Sequence, residues 1–357
     1  MSRAEIWQLV DARSIGGIER HVSELTGALA SYGYAARAVL YAPHEPNLWL
    51  GQLQNEGTPH RVLPGSARAV LRAMNRDRPS LVHTHGYKAG IVGRACARLL
   101  GIPVVSTFHA GETGPWPVNA YQAIDAATSL LARRISVSGA IAARLPFPSE
   151  TIANFVTIPA VDTTMQLPRR AAFVGRLSDE KGPDLFCEIA RKVGPSVQWD
   201  IYGDGPMRPA LEARYGDTVR FHGFVSDMNA VWKDIGLLVM PSRAEGLPMA
   251  ALESLARGIP VAASSVGGLP SLLGPIGSNW LFPSGDVEAA AGTVGRWLSI
   301  APPDEAILRA ACRDVVERNF SATGILPRIL DVYRSAGWRP VGSSIMMVQS
   351  SICSGID

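Results

Sequence analysis

The chain of 357 residues has little of several features that mark particular protein classes. Its four cysteines are scattered and form no C-x-x-C pair, which argues against a zinc ribbon and a disulfide scaffold and fits a reducing compartment. The longest apolar runs, such as 235–240 and 345–348, fall far short of the roughly 18 residues that span a bilayer. The first ten residues lack a basic segment followed by a long apolar one. The sequence therefore predicts a cytoplasmic protein without a transmembrane helix.

Charge is unevenly divided along the chain. Residues 1–160 carry 15 Lys and Arg against 10 Asp and Glu, whereas residues 161–357 carry 19 against 21. A mildly basic first half suits an acidic partner, such as an anionic membrane surface or a phosphorylated substrate, and ordinary solubility charge explains it equally well. We expect no nucleic-acid partner.

Length and hydrophobic pattern predict two domains, since roughly 100–200 residues make one domain. In both halves, short apolar runs alternate with helical patterns, which is typical of parallel β-α-β units. The last strand of the first half is expected at 152–158, and the chain should be mainly helical from 286 to 335. We predict an α/β protein with two doubly wound Rossmann-like domains, residues 1–163 and 164–340, and an irregular tail, 341–357. Ligands bind at the carboxyl ends of such strands, so the two domains should face a central cleft.

Two loops of the second half follow predicted strands and carry groups that suit a phosphorylated ligand. Arg176 and Lys181 lie between a strand and a helix, where they would neutralise a diphosphate or would simply be solvated basic residues. Gly203-Asp204-Gly205 follows the next strand, but Arg208 stands at the third glycine position of the dinucleotide fingerprint. This second loop is as consistent with a tight turn as with a nucleotide site.

The strongest signal is the segment 241–253. Glu245 lies in a loop, and a helix opens near Pro248, so the free N–H groups and the positive dipole end of that helix form an anion site. Glu253 lies roughly 7–8 Å further along the helix axis. Two acidic groups that bracket a phosphate-binding helix start suit a nucleotide sugar. The alternative is a turn-capping Glu245 and a surface Glu253.

Together with His222-Gly223-Phe224-Val225, these motifs occur in the order typical of one enzyme family. From Gly16-Gly17 to about Gly268, the chain resembles the group 1 glycosyltransferases (glycosyltransferase family 4), which are retaining enzymes with the two-domain GT-B fold. The resemblance implies transfer of a sugar from a nucleoside-diphosphate sugar to a glycan or lipid-linked acceptor. It also implies a place in bacterial surface polysaccharide, lipopolysaccharide or glycolipid biosynthesis, with no metal and no cofactor.

The resemblance implies roles for individual residues. Arg176 and Lys181 would hold the donor diphosphate, Glu245 would contact the transferred sugar, and Glu253 would bond the ribose. His109, at the end of the predicted strand 104–108, would lie near the sugar hydroxyls in the acceptor-binding first domain, or would be structural. The remaining donor-site positions are Gly16 and Gly17 at the diphosphate, Gly203 in the loop with the incomplete fingerprint, Gly223, Phe224 and Val225 beside the base, and Gly246, Leu247, Pro248 and Met249 at the sugar and phosphate.

Other histidines and a stripe of arginines allow two readings. His83 and His85 have no carboxylate or cysteine companion, so we expect no metal site there, and His21 should be a packing or surface residue. Arginines recur every four residues beside apolar positions, a pattern of a helical face that contacts an anionic membrane peripherally or is simply solvated. These positions are Arg68, Arg72 and Arg76 beside Val70, Leu71 and Met74, with the spacing repeated at Arg94 and Arg98.

Two alternative functions share the donor loops. A nucleotide-sugar epimerase or hydrolase of the same fold would need further acid/base carboxylates near His109, and none cluster there in the sequence. A non-catalytic nucleotide-binding protein would have lost the charged donor residues, all of which are present. A dehydrogenase is disfavoured because no complete glycine fingerprint follows any predicted strand.

Overall fold

The computed structural model describes residues 5–12, 15–45, 47–109, 116, 118–162 and 166–340. The first half forms a seven-stranded parallel sheet in the order β3-β2-β1-β4-β5-β6-β7. Its strands are β1 (Ile6–Val10), β2 (Ala36–Leu40), β3 (His60–Val62), β4 (Leu81–His85), β5 (Val104–Phe108), β6 (Arg133–Ser136) and β7 (Glu150–Thr151). The helices are α1 (Gly17–Ser31), α2 (Leu48–Asn55), α3 (Ala67–Asp77), α4 (Tyr87–Leu99), α5 (Val118–Thr128) and α6 (Gly139–Ala142).

The second half forms a six-stranded parallel sheet in the order β10-β9-β8-β11-β12-β13. Its strands are β8 (Arg170–Val174), β9 (Gln198–Tyr202), β10 (Arg220–Gly223), β11 (Leu237–Met240), β12 (Val261–Ser264) and β13 (Leu281–Phe282). The helices are α7 (Pro183–Val193), α8 (Arg208–Tyr215), α9 (Met228–Trp232), α10 (Met249–Ala256), α11 (Leu269–Leu273), α12 (Val287–Leu298), α13 (Pro302–Asn319) and α14 (Ala322–Ser335).

Both sheets are doubly wound, which confirms the predicted fold class. Central strands such as β4 and β11 are buried along their whole length, because helices cover both faces of a parallel sheet. The strand order reverses between β1 and β4 in the first sheet and between β8 and β11 in the second. Loops diverge at the carboxyl ends of these strand pairs and leave a crevice there. The loops that carry Gly16, Gly175 and Glu245 follow β1, β8 and β11.

Local structure differs from the expectation in two places. Helix α2 was not predicted. It begins at Asn47, whose side-chain oxygen accepts a hydrogen bond from the Leu50 amide, and it buries Trp49 and Leu53. The strand expected at 152–158 does not form: β7 ends just before it at Thr151, and Val156 within it makes an isolated bridge with Ser321.

The last helix crosses back to the first sheet, although we expected the whole of 164–340 in the second domain. Ile325, Ile329 and Tyr333 of α14 are buried in one cluster with Ile6 of β1 and Leu25 of α1. The apolar face of α14 therefore completes the core of the first domain. The expected boundary at 163/164 and the tail 341–357 lie outside the described residues.

The arginine stripe lies on α3, but its apolar companions do not face the solvent. Arg68, Arg72 and Arg76 are exposed, whereas Val70 and Met74 are fully buried. The continuation of the stripe on α4 is corrected by the structure, because Arg94 is buried in an ion pair with Asp125, at 2.6 Å between Nη2 and Oδ1. Membrane contact through the exposed arginines stays a prediction. Among the described helices, none is long and apolar enough to cross a bilayer.

Candidate functional site

Two helix N-termini meet where the domains face each other. No side chain caps α10 at Pro248, so its first-turn amides are available to an anion, whereas at the start of α1 the Glu19 carboxyl accepts hydrogen bonds from the Gly16 and Glu19 amides. A Cβ placed on Gly17 would lie 3.9 Å from Cγ of Met249, which shows how closely the two helix starts approach. Burial raises the pKa of Glu19, in the first turn of α1, to about 7. Its carboxyl thus adds little negative charge below neutral pH, and the positive ends of two helix dipoles converge here.

An ion pair joins two of the predicted donor residues. Lys181 Nζ donates to Glu245 Oε2 at 2.8 Å, and Ser242 Oγ donates to Glu245 Oε1 at 2.8 Å. The Glu245 side chain is only 3% exposed, so this carboxylate is buried and held on both oxygens. Arg176, on the loop after β8, is exposed and forms no ion pair within the part of the chain that the structure describes. It is the cation of this site that is available to a ligand.

The loop after β11 contacts the first domain at His109. A Cβ on Gly246 would stand 3.0 Å from the His109 carbonyl oxygen and 3.5 Å from Ile141 Cδ1, so glycine permits the close approach. The Leu247 carbonyl accepts a hydrogen bond from Asn154 Nδ2 at 2.9 Å. Glu245 and His109, both expected near the transferred sugar, thus belong to neighbouring segments across the cleft.

Glu253 has a partner that the sequence did not reveal. Arg20 Nε, on α1, donates to Glu253 Oε1 at 2.7 Å, and the two side chains are 16% and 9% exposed. Glu253, which is expected to bind the ribose, therefore uses one of its carboxylate oxygens to bridge the two domains. Arg20 lies three residues after Gly17 on α1, but its partner is 233 positions away, and no local pattern indicates such a pair.

The glycines of the loop after β9 serve close backbone packing. A Cβ on Gly203, whose φ is +142°, would stand 1.9 Å from the Gly175 carbonyl oxygen, and one on Gly205 would stand 2.4 Å from the Leu177 carbonyl oxygen. The tight-turn interpretation of this loop therefore has direct support. Gly223, at a φ of +70°, ends β10, and its carbonyl accepts from the Gly203 amide at 2.8 Å. Phe224 and Val225 follow, both partly exposed; their position beside a base stays a prediction.

Four imidazoles, those of His21, His83, His85 and His109, pack together at this edge of the first domain. Ring centroids of His21 and His109 lie 4.8 Å apart, and those of His83 and His85 lie 4.2 Å apart. Burial lowers the pKa of all four, to about 4 for His21 and well below the usual range for the other three, so the cluster is neutral at pH 7. The sequence indicated neither this cluster nor the contribution of His21, whose two ring nitrogens are buried without a hydrogen-bond partner among the described residues.

The cluster also has the spacing of a metal-binding group. One ring nitrogen from each of His21, His85 and His109 lies within 4.8 Å of the others. Within the described part of the chain, this group consists of three histidines and contains no carboxylate. It therefore offers no negative charge to balance that of a bound divalent cation. Two of the three nitrogens instead hydrogen-bond each other, since His85 Nδ1 and His109 Nε2 lie 3.1 Å apart.

Acid is expected to destabilise the wild-type protein more than a His21→Phe variant. The folded-state pKa of His21 is about 4, below its ordinary 6.5, so the unfolded state binds the proton more readily between these values. Stability therefore rises with pH across this window and is lost as the pH falls from 6.5 towards 4. At about 1.4 kcal/mol per pKa unit, the loss amounts to at most about 3 kcal/mol. Urea titrations at about pH 7 and about pH 5 measure it.

The matched control for this prediction is His60→Phe, which removes a partly exposed imidazole from β3. This control should retain the acid response of the wild type. An unchanged acid response in His21→Phe would contradict the assignment of the effect to the buried cluster.

Comparison with known proteins agrees with this architecture in both halves of the chain. Residues 168–299 match the family described as "Glycosyl transferases group 1", and residues 15–155 match "Glycosyltransferase Family 4". The chain is similar to the 2-deoxystreptamine N-acetyl-D-glucosaminyltransferase of Streptomyces fradiae, with 27% identity over 316 residues, 74% of this chain and 75% of the relative. It is similar to the D-inositol 3-phosphate glycosyltransferase of Salinispora tropica, with 29% identity over 345 residues, 80% of this chain and 70% of the relative.

Solved structures share the fold at lower sequence identity. The Anabaena protein Alr3699/HepE in complex with UDP-glucose superposes with a TM-score of 0.79 at 18% identity, covering 93% of this chain and 99% of that one. The lipopolysaccharide outer core galactosyltransferase WaaB superposes with a TM-score of 0.65 at 17% identity, covering 93% and 99%. With both sheets matched by family and by fold, the chain belongs to the group 1 glycosyltransferases and has their GT-B fold of two Rossmann-like domains.

Proposed function

We propose that this glycosyltransferase transfers a sugar, with retention of anomeric configuration and without a metal ion, from a nucleoside-diphosphate sugar to a glycan or lipid-linked acceptor. The observation that carries the proposal is the meeting of the N-termini of α1 and α10, of which α10 has free first-turn amides, with Arg176 and Lys181 on the neighbouring loop after β8. Two converging helix dipoles and two cations suit a diphosphate better than a single phosphate. A structural neighbour is named for its complex with UDP-glucose, which favours UDP as the nucleotide.

Departure of the nucleoside diphosphate builds negative charge on the leaving oxygen. Arg176, Lys181 and the first-turn amides of α10 would stabilise that charge in the transition state, as preorganised donors do in other transferases. This donor set supplies the positive charge that a metal ion provides elsewhere, which is the support for metal independence. Glu245 stays buried between Lys181 and Ser242 and would meet the sugar hydroxyls.

Retention is supported by what surrounds His109. The titratable rings in contact with His109 are the imidazoles of His21 and His85. The neighbouring Glu245 is held on both oxygens by Lys181 and Ser242. Among the described residues, this site therefore offers no free carboxylate for a covalent double displacement. Attack from the same face, with the departing phosphate oxygen accepting the proton of the acceptor, then accounts for retention. The same absence disfavours an epimerase, which would need acid/base carboxylates around the sugar.

The biological setting of this activity is proposed on similarity. The relatives are bacterial transferases, and one structural neighbour is named as a lipopolysaccharide galactosyltransferase. We place this enzyme in bacterial surface polysaccharide or glycolipid biosynthesis, acting from the cytoplasmic side and contacting the membrane peripherally through the exposed arginines of α3.

An acceptor-dependence assay tests the proposed function. The purified enzyme is incubated with UDP-, GDP- and ADP-sugars, with and without glycan or lipid-linked acceptors, and free nucleoside diphosphate is measured with and without EDTA. We expect release that requires an acceptor and is insensitive to EDTA, and proton NMR of the product should show the anomeric configuration of the donor. Release without any acceptor would identify a hydrolase, and an inverted product would contradict retention.

A further inference from the structure

A continuous chain of hydrogen bonds leads from the cleft to the last helix. His109 Nε2 and His85 Nδ1 lie 3.1 Å apart, and His85 Nε2 and Gln8 Oε1 lie 2.9 Å apart. Gln8 Nε2 donates to the Tyr333 hydroxyl at 3.2 Å. Beyond Tyr333, its hydroxyl lies 2.8 Å from His83 Nδ1. Five residues from β1, β4, the end of β5 and α14 thus form one connected network.

With the Gln8 side-chain oxygen towards His85 and its nitrogen towards Tyr333, amide chemistry determines the direction of the bonds from His109 to Tyr333. Gln8 Oε1 only accepts, so the proton of His85 is on Nε2, and His85 Nδ1 carries a lone pair. His109 Nε2 must then be the donor to His85, which leaves the lone pair of His109 on Nδ1. On the other side, Gln8 Nε2 only donates, so the Tyr333 hydroxyl accepts from it and has its own proton available for His83 Nδ1.

The far end of the chain has a partner as well. With His83 Nδ1 accepting from Tyr333, the proton of His83 is on Nε2, which donates to Thr107 Oγ1 at 2.7 Å. Strand register produces this arrangement, because Gln8 pairs with His83 on β4 and His85 pairs with Thr107 on β5. Gln8, His83, His85 and Tyr333 are fully buried, so water does not compete for these bonds.

We propose that Gln8 and Tyr333 are positioning residues that set the tautomer and the orientation of His109 through His85. The proposal rests on the proposed function, in which His109 lies at the donor sugar. A neutral His109 with its proton on Nε2 offers Nδ1 as an acceptor for a sugar hydroxyl, whereas the opposite tautomer would present a donor there. Helix α14, which returns to the first domain through its apolar face, also supplies the Tyr333 hydroxyl to this network.

The groups around His109 keep the network neutral, as the tautomer argument requires. His21 from α1, His83 and His85 from β4 and Tyr333 from α14 are the titratable side chains of this cluster. Burial lowers the pKa of each imidazole and raises the pKa of the Tyr333 hydroxyl well above its ordinary value. The imidazoles therefore stay uncharged and the tyrosine keeps its proton at neutral pH.

The proposal is tested by NMR of the ring nitrogens together with steady-state kinetics. Full-length protein is labelled with ¹⁵N in its seven histidines, and signals are assigned with single His→Gln variants. In the wild type we expect His83, His85 and His109 as neutral rings with the proton on Nε2. In Tyr333→Phe and in Gln8→Met, His85 and His109 should shift towards mixed tautomers. We expect kcat to fall about tenfold in both variants, with the donor KM within about twofold of wild type.

Two variants keep the test decisive if one of them folds poorly. Tyr333→Phe retains the buried ring, and Gln8→Met retains the side-chain length, so each interrupts the chain at a different bond. The matched control is Tyr215→Phe, which removes another buried tyrosine hydroxyl whose bond goes to Glu188 in the second domain. This control should change neither the tautomers nor kcat.

The outcomes separate this proposal from the proposed function. A pure Nε2–H tautomer of His109 in both variants would overturn the positioning role, and so would a kcat within twofold of wild type in both. The tautomers are measured from ¹⁵N chemical shifts in the absence of substrate. They therefore test the positioning role of Gln8 and Tyr333 even if the protein transfers no sugar. Failure of acceptor-dependent release would instead overturn the proposed function alone.

Discussion

Replacing Lys181 with alanine is expected to lower kcat/KM by a factor of about 100 to 1,000, the usual loss when one preorganised donor to a developing charge is removed. The substitution removes the cation that lies 2.8 Å from Glu245 Oε2 and leaves that carboxylate, only 3% exposed, with Ser242 as its remaining partner. An uncompensated carboxylate at the sugar end of the cleft would also repel the donor diphosphate. Steady-state kinetics with the donor found in the acceptor-dependence assay measure the loss.

Two further variants separate the electrostatic effect from damage to the fold. Lys192→Ala removes a lysine whose partner, Glu288, is largely exposed, and it should leave kcat/KM near wild type. The double variant Lys181→Ala/Glu245→Gln removes the buried charge together with its partner. It should regain most of the about 2 kcal/mol of stability that Lys181→Ala loses, but not the activity. Activity of Lys181→Ala within tenfold of wild type would contradict the role of this cation.

Gly203→Ala should be the most destabilising small substitution proposed for the second domain, with a loss of about 3 kcal/mol or more in the free energy of unfolding. The new Cβ would stand 1.9 Å from the Gly175 carbonyl oxygen, and the φ of +142° disfavours any residue with a side chain. The loops after β8 and β9 would have to separate, and Arg176 would move with the first of them. Urea unfolding measures the loss, and donor turnover should fall in parallel.

The control is Gly292→Ala on α12, where an added Cβ meets no atom within 4 Å. Alanine favours a helix over glycine by up to about 1 kcal/mol, so this variant should be as stable as the wild type or more stable. A Gly203→Ala protein within about 1 kcal/mol of wild type would show that the loops tolerate separation.

Much of the donor half of the site could be predicted from local sequence. Arg176, Lys181 and Glu245 lie in loops that follow apolar strands, and Glu253 lies within the helix that follows one of these loops. Such positions gather at one edge of a parallel sheet, so local sequence is enough to place them together. The structure brings Lys181 and Glu245 into one ion pair across 64 positions, as their shared edge implies. The loop with Gly203 was ambiguous because glycine serves both backbone packing and phosphate contact, and only a measured approach to Gly175 distinguishes the two.

The acceptor half could not be predicted to the same depth. His21, His83 and His85 were read as packing or isolated residues, because a single imidazole on a strand or helix carries no indication of its neighbours. The spacing of Arg94 likewise matched an exposed stripe until its ion pair with Asp125 placed it in the interior. Sequence periodicity indicates which face of a helix is apolar, but it does not indicate which other element of the fold covers that face.

By itself, the sequence determined two doubly wound α/β domains, a donor edge rich in cations and helix starts, and the likeness to group 1 glycosyltransferases, because strand alternation and loop motifs are local properties. Only the tertiary structure decided that α14 returns to the first sheet, that Arg20 bridges to Glu253, and that Gln8 connects Tyr333 with the histidines below His109. These pairs lie more than 200 positions apart, and they form only when two sheets and a crossing helix bring buried polar groups within hydrogen-bond distance.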